Sequence, residues 1–317
     1  MKILVTPTSM QEGKENKAID RLKDFSGDLI YNPYGRPLTQ EELIPLLKDC
    51  DGYIAGLDEI TKKVLSQCGK LKVISRYGAG VDRVDLAAAR ENKIIVTNTP
   101  GVNAVAVAEL AFGMILSLAR KITFLDQKTR NGEWVRSTGM ELKSKTIGIL
   151  GLGAIGKDLA RYAQGFSMNV MAYDPYINEA YAKENNITVA SFEQVIESCD
   201  VISLHLPLTD KTRHLIDRDV IGRMKRGALL VNTSRGGIID EDAAYEGLKD
   251  GHLGGLALDA FEAEPPKQSP LFQLENVVVT PHTGAHTKEA TQNMADLAVE
   301  NLIQVLSGQD CKYILNA

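Results

Sequence analysis

Short apolar runs rich in β-branched residues recur at 2–6, 29–31, 52–55, 71–75 and 94–97, and stretches of helical periodicity separate them. An unbroken apolar run offers no polar side to water, so each predicts a strand covered on both faces. Strands that alternate with helices predict a parallel sheet, because parallel neighbours need a crossover between them. Thr39 and Glu42 stand three apart as a capping box, in which a hydroxyl and a carboxylate satisfy backbone donors at a helix start, and Pro45 falls in the first turns of that helix. At Asn98, Thr99, Pro100 and Gly101 turn residues break the rhythm, and an Ala-, Leu- and Val-rich helix over about 104–120 follows. The break predicts a domain boundary.

A second alternation begins at residue 146, with strands predicted at 146–150, 169–173, 200–204, 228–231, 254–258 and 277–280. The last helical stretch, 287–306, stops before Gly308, which suits the left-handed residue beyond a helix end. The fold class expected is α/β, with two doubly wound parallel-sheet domains. Composition agrees: 317 residues are more than one core usually serves, and 44% hydrophobic with 24% charged residues excludes disorder, fibres and coiled coils.

A net charge of −5 without a dense basic run gives no electrostatic reason to expect nucleic acid or an anionic membrane as partner. The longest apolar stretch, 102–118, contains Asn103 and Glu109 and is shorter than the ~20 residues that span a bilayer, so it predicts a buried helix. Met1 and Lys2 lead directly into Ile3, Leu4 and Val5, a strand pattern too short for a signal-peptide core. Cys50, Cys68, Cys199 and Cys311 are scattered, which predicts reduced core thiols and a cytoplasmic location.

The predicted strand 146–150 runs into Gly151-x-Gly153-x-x-Gly156 and then a helix that opens with Ala154 and Ile155. Glycine at 151 permits the tight turn, at 153 lets backbone N–H groups approach a pyrophosphate, and at 156 allows close helix–strand packing. The fingerprint alone is weak. Asp174 strengthens it, since it ends the next strand 18 residues past Gly156, where a carboxylate binds the adenosine ribose hydroxyls. The same carboxylate repels a 2′-phosphate, and Pro175 and Tyr176 supply no guanidinium, so NAD is expected over NADP.

Ligands of open α/β sheets lie beyond the carboxyl ends of the strands. There this sequence delivers His205 and Pro207, then Asn232, Thr233, Ser234, Arg235 and Gly236, then Asp259, then Pro281 and His282. Arg235, between Ser234 and Gly236, has a planar fork suited to a carboxylate, against the blander reading of an ion pair with Asp240 or Glu241. His282 stands on a turn after a buried strand and suits proton transfer near neutrality, with Glu264 as a carboxylate to orient it. A zinc site at His282, His286 and Glu289 is disfavoured, because Gly284 interrupts the helix it needs and position 283 is Thr. No metal is expected. His205 reads as a packing residue beside the cofactor, and His214 and His252 as ordinary loop histidines.

The segments RYGAGVDRVD (76–85), NTPGVNAVAVAE (98–109), GILGLGAIG (148–156), SLHLPLT (203–209), VNTSRGGIID (231–240), LDAFEAEP (258–265) and TPHTGAHT (280–287) come in the order found in the D-isomer-specific 2-hydroxyacid dehydrogenases, which the chain resembles over nearly its whole length. The resemblance implies a flavodoxin-like substrate domain, 1–99 plus 285–317, and a Rossmann NAD-binding domain, 100–284. It implies hydride transfer between NAD and a small D-2-hydroxy or 2-keto acid. Arg235 would bind the substrate carboxylate and keto oxygen, His282 would donate the proton, and Glu264 would support it. The loop Arg76 to Gly80, especially Tyr77, Gly78 and Ala79, would offer backbone N–H groups to the substrate carboxylate, and Asp259 would hold the carboxamide. Thr212 and Gly284 join the expected cofactor contacts, and the helix over 102–120 would build a homodimer.

Relatives acting on 3-phosphoglycerate often carry an arginine in the first domain where this chain reads Ile54, Ala55, Gly56, Leu57 and Asp58. That absence, with no C-terminal regulatory domain in the sequence, argues against a phosphorylated substrate unless Arg36 or Arg76 reaches the phosphate. Formate dehydrogenase pairs its histidine with glutamine where this chain has Glu264. The alternatives of another class are an NAD-sensing corepressor of the same fold and a Rossmann-fold binding protein without hydride chemistry. The set Arg235, Glu264 and His282 speaks against the latter.

Overall fold

Ile3, Leu4 and Val5 are each at most 1% exposed, and alternate residues serve opposite faces of one sheet. Leu4 packs with Leu43, Tyr53 and Ile74, while Ile3 and Val5 pack with Ile54, Val73 and the C-terminal helix. The computed structural model describes residues 1–13 and 16–316 and divides into two compact units, 1–103 with 286–317, and 104–285.

The first unit holds β1 (Lys2–Val5), β2 (Asp28–Tyr31), β3 (Gly52–Ala55), β4 (Val73–Arg76) and β5 (Ile95–Thr97), all parallel, in the order β2-β1-β3-β4-β5. Its helices are α1 (Lys17–Phe25), α2 (Gln40–Leu47), α3 (Lys62–Leu65), α4 (Leu86–Glu91) and a C-terminal helix, Lys288–Leu306. The capping box at α2 is formed: Thr39 Oγ1 accepts from the Glu42 N–H and the Glu42 carboxylate from the Thr39 N–H. The C-terminal helix covers one sheet face with Ala295, Ala298, Val299 and Leu302. β3 starts on Gly52 because a Cβ there would lie 3.1 Å from Leu306 and 3.2 Å from Leu302.

The second unit opens with α5 (Ala104–Arg120) and α6 (Ile122–Arg130). It continues through β6 (Thr146–Leu150), α7 (Ala154–Gly165), β7 (Asn169–Tyr173), α8 (Glu179–Glu184), β8 (Thr188–Val189), α9 (Phe192–Ser198) and β9 (Val201–Leu204). α10 (Arg218–Arg223), β10 (Ala228–Asn232), α11 (Glu241–Lys249), β11 (Leu253–Leu258) and β12 (Val277–Val279) complete it. The sheet is again parallel, in the order β12-β11-β10-β9-β6-β7-β8. The order reverses at β6, between β9 and β7, so the carboxyl ends there frame a crevice.

Two expectations need adjustment. The strand predicted over 71–75 runs Val73–Arg76, because the Leu71 N–H is held in a turn by the Cys68 carbonyl at 3.1 Å. β8 was not foreseen: it is two exposed residues at a sheet edge and carries no apolar signature. Among the described residues no helix is long and apolar enough to cross a membrane.

Candidate functional site

The glycine loop between β6 and α7 is shaped by what its glycines would strike. Gly151 has φ +103°, and a Cβ on it would lie 2.5 Å from the His205 carbonyl; a Cβ on Gly156 would lie 2.2 Å from the Gly151 carbonyl. Gly153, by contrast, faces open space and caps α7 without a side-chain hydrogen bond. Two glycines are thus required by packing, and the third leaves room at a helix N-terminus with free backbone donors. Asp174, past the end of β7, accepts the Leu152 N–H on Oδ2 and the Tyr176 N–H on Oδ1, both at 2.8 Å. It therefore tethers the loop, and each oxygen keeps a lone pair for another donor.

Beyond β9, the Thr212 hydroxyl donates to the Pro207 carbonyl at 2.7 Å, which closes that loop on itself. Beyond β10, the buried side chain of Asn232 builds the turn that presents Arg235. Its Oδ1 accepts the N–H of Ser234 at 3.0 Å and the hydroxyl at 2.8 Å, and its Nδ2 donates to the Arg235 carbonyl at 2.8 Å. An asparagine at a strand end is a signal for such a side-chain turn; the sequence places Asn232 at this edge, and its part in holding Arg235 comes from these bonds. The Arg235 guanidinium donates to the Ser234 carbonyl at 2.8 Å.

His282 follows β12 with φ +53°, in the left-handed region that histidine enters more readily than most residues. Its turn is bracketed by Asp259, at the end of β11 and 2% exposed. Asp259 Oδ1 accepts the Thr280 hydroxyl at 2.6 Å and the Thr283 N–H at 2.7 Å, and Oδ2 accepts the Gly284 N–H at 2.8 Å. Glu264 comes from the irregular segment after β11. Its Oε1 lies 2.8 Å from His282 Nδ1 and accepts the Phe261 N–H at 3.3 Å. A carboxylate oxygen only accepts, so Nδ1 carries the hydrogen and Nε2 is the nitrogen left for proton exchange.

In the first unit, the loop after β4 departs from expectation. The Tyr77 N–H donates to the Ala55 carbonyl and the Gly78 N–H to Thr99 Oγ1, each at 2.9 Å. Both are committed internally, so a carboxylate here would have the N–H groups of Ala79 and Gly80. Arg76 is buried and donates to the carbonyls of Ala55, at 3.2 Å, and Tyr77. Arg36 makes a two-pronged ion pair with Glu42 at 2.7 and 2.8 Å, which holds that carboxyl down to about 2. The segment 54–58 turns around buried Asp58, which accepts from Tyr53 and the Leu38 N–H at 2.7 Å and from Thr6.

The family model for the NAD binding domain of the D-isomer specific 2-hydroxyacid dehydrogenases matches residues 112–284. The chain belongs to this family. It is 43% identical to D-3-phosphoglycerate dehydrogenase of Methanocaldococcus jannaschii over 88% of this chain and 54% of that protein. It is 38% identical to glyoxylate reductase of Korarchaeum cryptofilum over 86% of this chain and 85% of that protein. The chain therefore spans about half the length of the first of these two relatives. NAD-dependent formate dehydrogenase from Staphylococcus aureus, solved in complex with NAD, has 32% identity and a TM-score of 0.88, covering 100% of this chain and 99% of that one.

The family's cofactor is tested by the crevice itself. Of the four buried side-chain polar atoms without a partner among the described residues, Tyr31 Oη and Ser117 Oγ lie elsewhere, and two follow strands of this sheet: His205 Nδ1 past β9 and Thr233 Oγ1 past β10. Such atoms are costly unless something meets them. Both follow the adjacent strands β9 and β10, at the same carboxyl edge of the sheet as the open Gly153 after β6 and Asp174 after β7, so the residues present fit a dinucleotide. His205 Nε2 is bonded to Ser203 Oγ at 2.9 Å, and burial pushes the ring down to about 4, so it stays neutral at working pH. His214 pairs with Glu262 at 3.1 Å, and His252 bonds the Met224 carbonyl at 3.0 Å.

Proposed function

We propose that this chain is an NAD-dependent dehydrogenase that interconverts a small D-2-hydroxy acid and its 2-keto acid, with glyoxylate and hydroxypyruvate as the substrates to try first. The observation that carries the reading is the 2.8 Å bond between His282 Nδ1 and Glu264 Oε1, in the unit that holds the family's NAD-binding domain. Bound NADH supplies the hydride. Arg235 binds the carboxylate and polarises the keto oxygen, and His282 Nε2 delivers the proton to that oxygen as negative charge develops on it. Glu264 fixes the tautomer and stabilises the imidazolium before the proton leaves. General acid catalysis of this kind contributes about 10²–10⁴-fold.

Gly151, Gly153, Ala154, Ile155 and Gly156 would receive the pyrophosphate, Asp174 the ribose hydroxyls, and His205, Pro207, Thr212, Thr233 and Ser234 the rest of the crevice. Asp259 and Gly284 hold the His282 turn through their mutual bond; the carboxamide contact that the resemblance implies for Asp259 would be additional. For the substrate carboxylate, the reading for Tyr77, Gly78 and Ala79 narrows to Ala79 and its neighbour Gly80. The engagement of Arg36 with Glu42 and of Arg76 with backbone carbonyls favours an unphosphorylated acid. The names of the relatives favour the dehydrogenase over the corepressor reading.

We also propose a homodimer and a cytoplasmic setting. Most apolar residues of α5 are buried within the chain, yet just beyond it Ile122 and Val135 are exposed and Trp134 is 82% exposed, which favours cover by a second copy. A sedimentation experiment giving the monomer mass would end that part of the reading. For the chemistry, the purified protein is offered glyoxylate, hydroxypyruvate and pyruvate with NADH and absorbance is followed at the nicotinamide band. Oxidation of NADH with any of them is the expected outcome, and none with all three would end the proposal.

A further inference from the structure

Glu264 sits in a segment without regular structure, yet it must meet His282 to within a few tenths of an ångström. What fixes that segment is found on the other side, at the arginine turn. A Cβ on Gly236, the residue after Arg235, would lie 1.8 Å from the Phe261 carbonyl oxygen and 2.7 Å from the Glu262 nitrogen. The Arg235 turn and the Phe261–Glu262 peptide are thus in backbone-to-backbone contact, and only glycine permits it.

The same peptide is gripped from its N–H side. The Glu262 N–H donates to Glu241 Oε1 at 2.7 Å, and the Glu241 N–H, at the start of α11, donates to Glu262 Oε1 at 3.2 Å. His214, whose own N–H is held by the Gly237 carbonyl at 2.7 Å, adds a contact to Glu262 Oε1 at 3.1 Å. One residue back, the Phe261 N–H donates to Glu264 Oε1, the oxygen that also meets His282 Nδ1. A continuous path of bonds therefore runs from Glu241 through residues 261–262 to Glu264 and His282.

We propose that Glu241 is a positioning residue for the Glu264–His282 pair, acting as the hydrogen-bond acceptor that seats residues 261–264 against the Arg235 turn. An acid that merely favoured the α11 N-terminus would be served as well by pointing into water. Instead Glu241 is half-buried, and burial, with repulsion from Glu262, Asp242 and Glu264, pushes its carboxyl up. The arrangement is held against that repulsion by the two reciprocal bonds. Displacement of a catalytic group by about 1 Å is enough to cost on the order of 10²-fold in rate.

This inference rests on the proposed chemistry, and the experiment separates the two. Glu241→Ala, Glu241→Gln and Glu241→Asp are compared for kcat and KM with glyoxylate and NADH, for NADH affinity by fluorescence, and for the His282 Nδ1–H proton resonance. Glu241→Ala should lose about tenfold or more in kcat, keep NADH affinity within about twofold, and lose or shift the resonance. Glu241→Gln keeps an acceptor for the Glu262 N–H and should recover most of kcat and the resonance. Wild-type kcat in Glu241→Ala would overturn the idea, as would Glu241→Gln falling equally far. Should Glu241→Ala not fold, Glu241→Asp, whose acceptor is one methylene short, decides: full kcat and an unmoved resonance overturn the proposal. A wild-type protein that reduces no 2-keto acid sinks the proposed function instead, and the resonance alone then tests the positioning.

Discussion

Asp259 holds His282 without touching its ring: it accepts from Thr280 on one side of the histidine and from the N–H groups of Thr283 and Gly284 on the other. The imidazole is thereby carried on a left-handed turn whose two flanks are tied to the end of β11. Asp259→Asn retains one acceptor oxygen and sets an NH2 against either the Thr283 or the Gly284 N–H. One buried donor is left unsatisfied, at a cost of about 1–3 kcal/mol. Urea unfolding should show that loss, and the activity should fall with it.

His282→Ala removes the proton donor, and Glu264→Gln removes the carboxylate that accepts from Nδ1. The first should lower kcat by about 10²–10⁴-fold, the second by less, and NADH binding should change little in either. Stopped-flow reduction of glyoxylate beside fluorescence titration of NADH measures both. A His282→Ala protein with normal turnover would remove this residue from the chemistry.

Asp174→Ala takes away the negative charge at the crevice rim together with the acceptor for the Leu152 N–H. The ratio of kcat/KM for NADPH to that for NADH should rise, chiefly through loss of NADH efficiency. A wild-type protein more efficient with NADPH than with NADH would contradict the reading of Asp174.

His205 makes stability depend on pH in a defined window. Its ring titrates near 4 in the folded chain because of burial, against about 6.5 when exposed. Above pH 6.5 both states are neutral and the residue contributes no slope. As pH falls from 6.5 toward 4 the unfolded chain takes up a proton that the fold refuses, so stability is lost by up to about 3 kcal/mol and then levels off. Thermal unfolding scans of wild type and His205→Gln should diverge in slope only inside that window.

The thiols provide an independent check of the two cores. Burial pushes Cys50 and Cys68 up to about 11 and Cys199 up to about 12, while Cys311 is half-buried. At pH 8 a disulfide reagent should titrate one thiol quickly in the native protein and all four after denaturation. Rapid reaction of Cys199 would mean that the α9 side of the second sheet is open.

The strands were readable because parallel sheets bury both faces, and runs such as Ile3, Leu4 and Val5 leave no other interpretation. The exposed pair Thr188 and Val189 has no such signature. Candidate chemistry at Arg235, Glu264 and His282 followed from strand ends, since polar residues there face the ligand edge. Of what held those residues in place, only the Asn232 turn carried a sequence signal. Glu241, weighed from sequence as an ion partner for Arg235, spends Oε1 on a backbone N–H 21 positions away, and Asp259 and Gly236 act through backbone groups that every residue possesses. Sequence pattern reports which side chains avoid water. It does not report which peptide group a side chain will find.

The C-terminal helix lies in the first unit, although the second unit intervenes in the chain. On the ribosome, the sheet face formed by Ile3, Val5, Ile54 and Val73 is complete as far as β5 about two hundred residues before its cover emerges. At about 5–20 residues per second of synthesis, that greasy surface waits roughly ten to forty seconds for Ala298, Val299 and Leu302. The intervening unit has time to finish folding during the delay, so the order of synthesis leaves the first unit's sheet half-dressed until the last helix arrives.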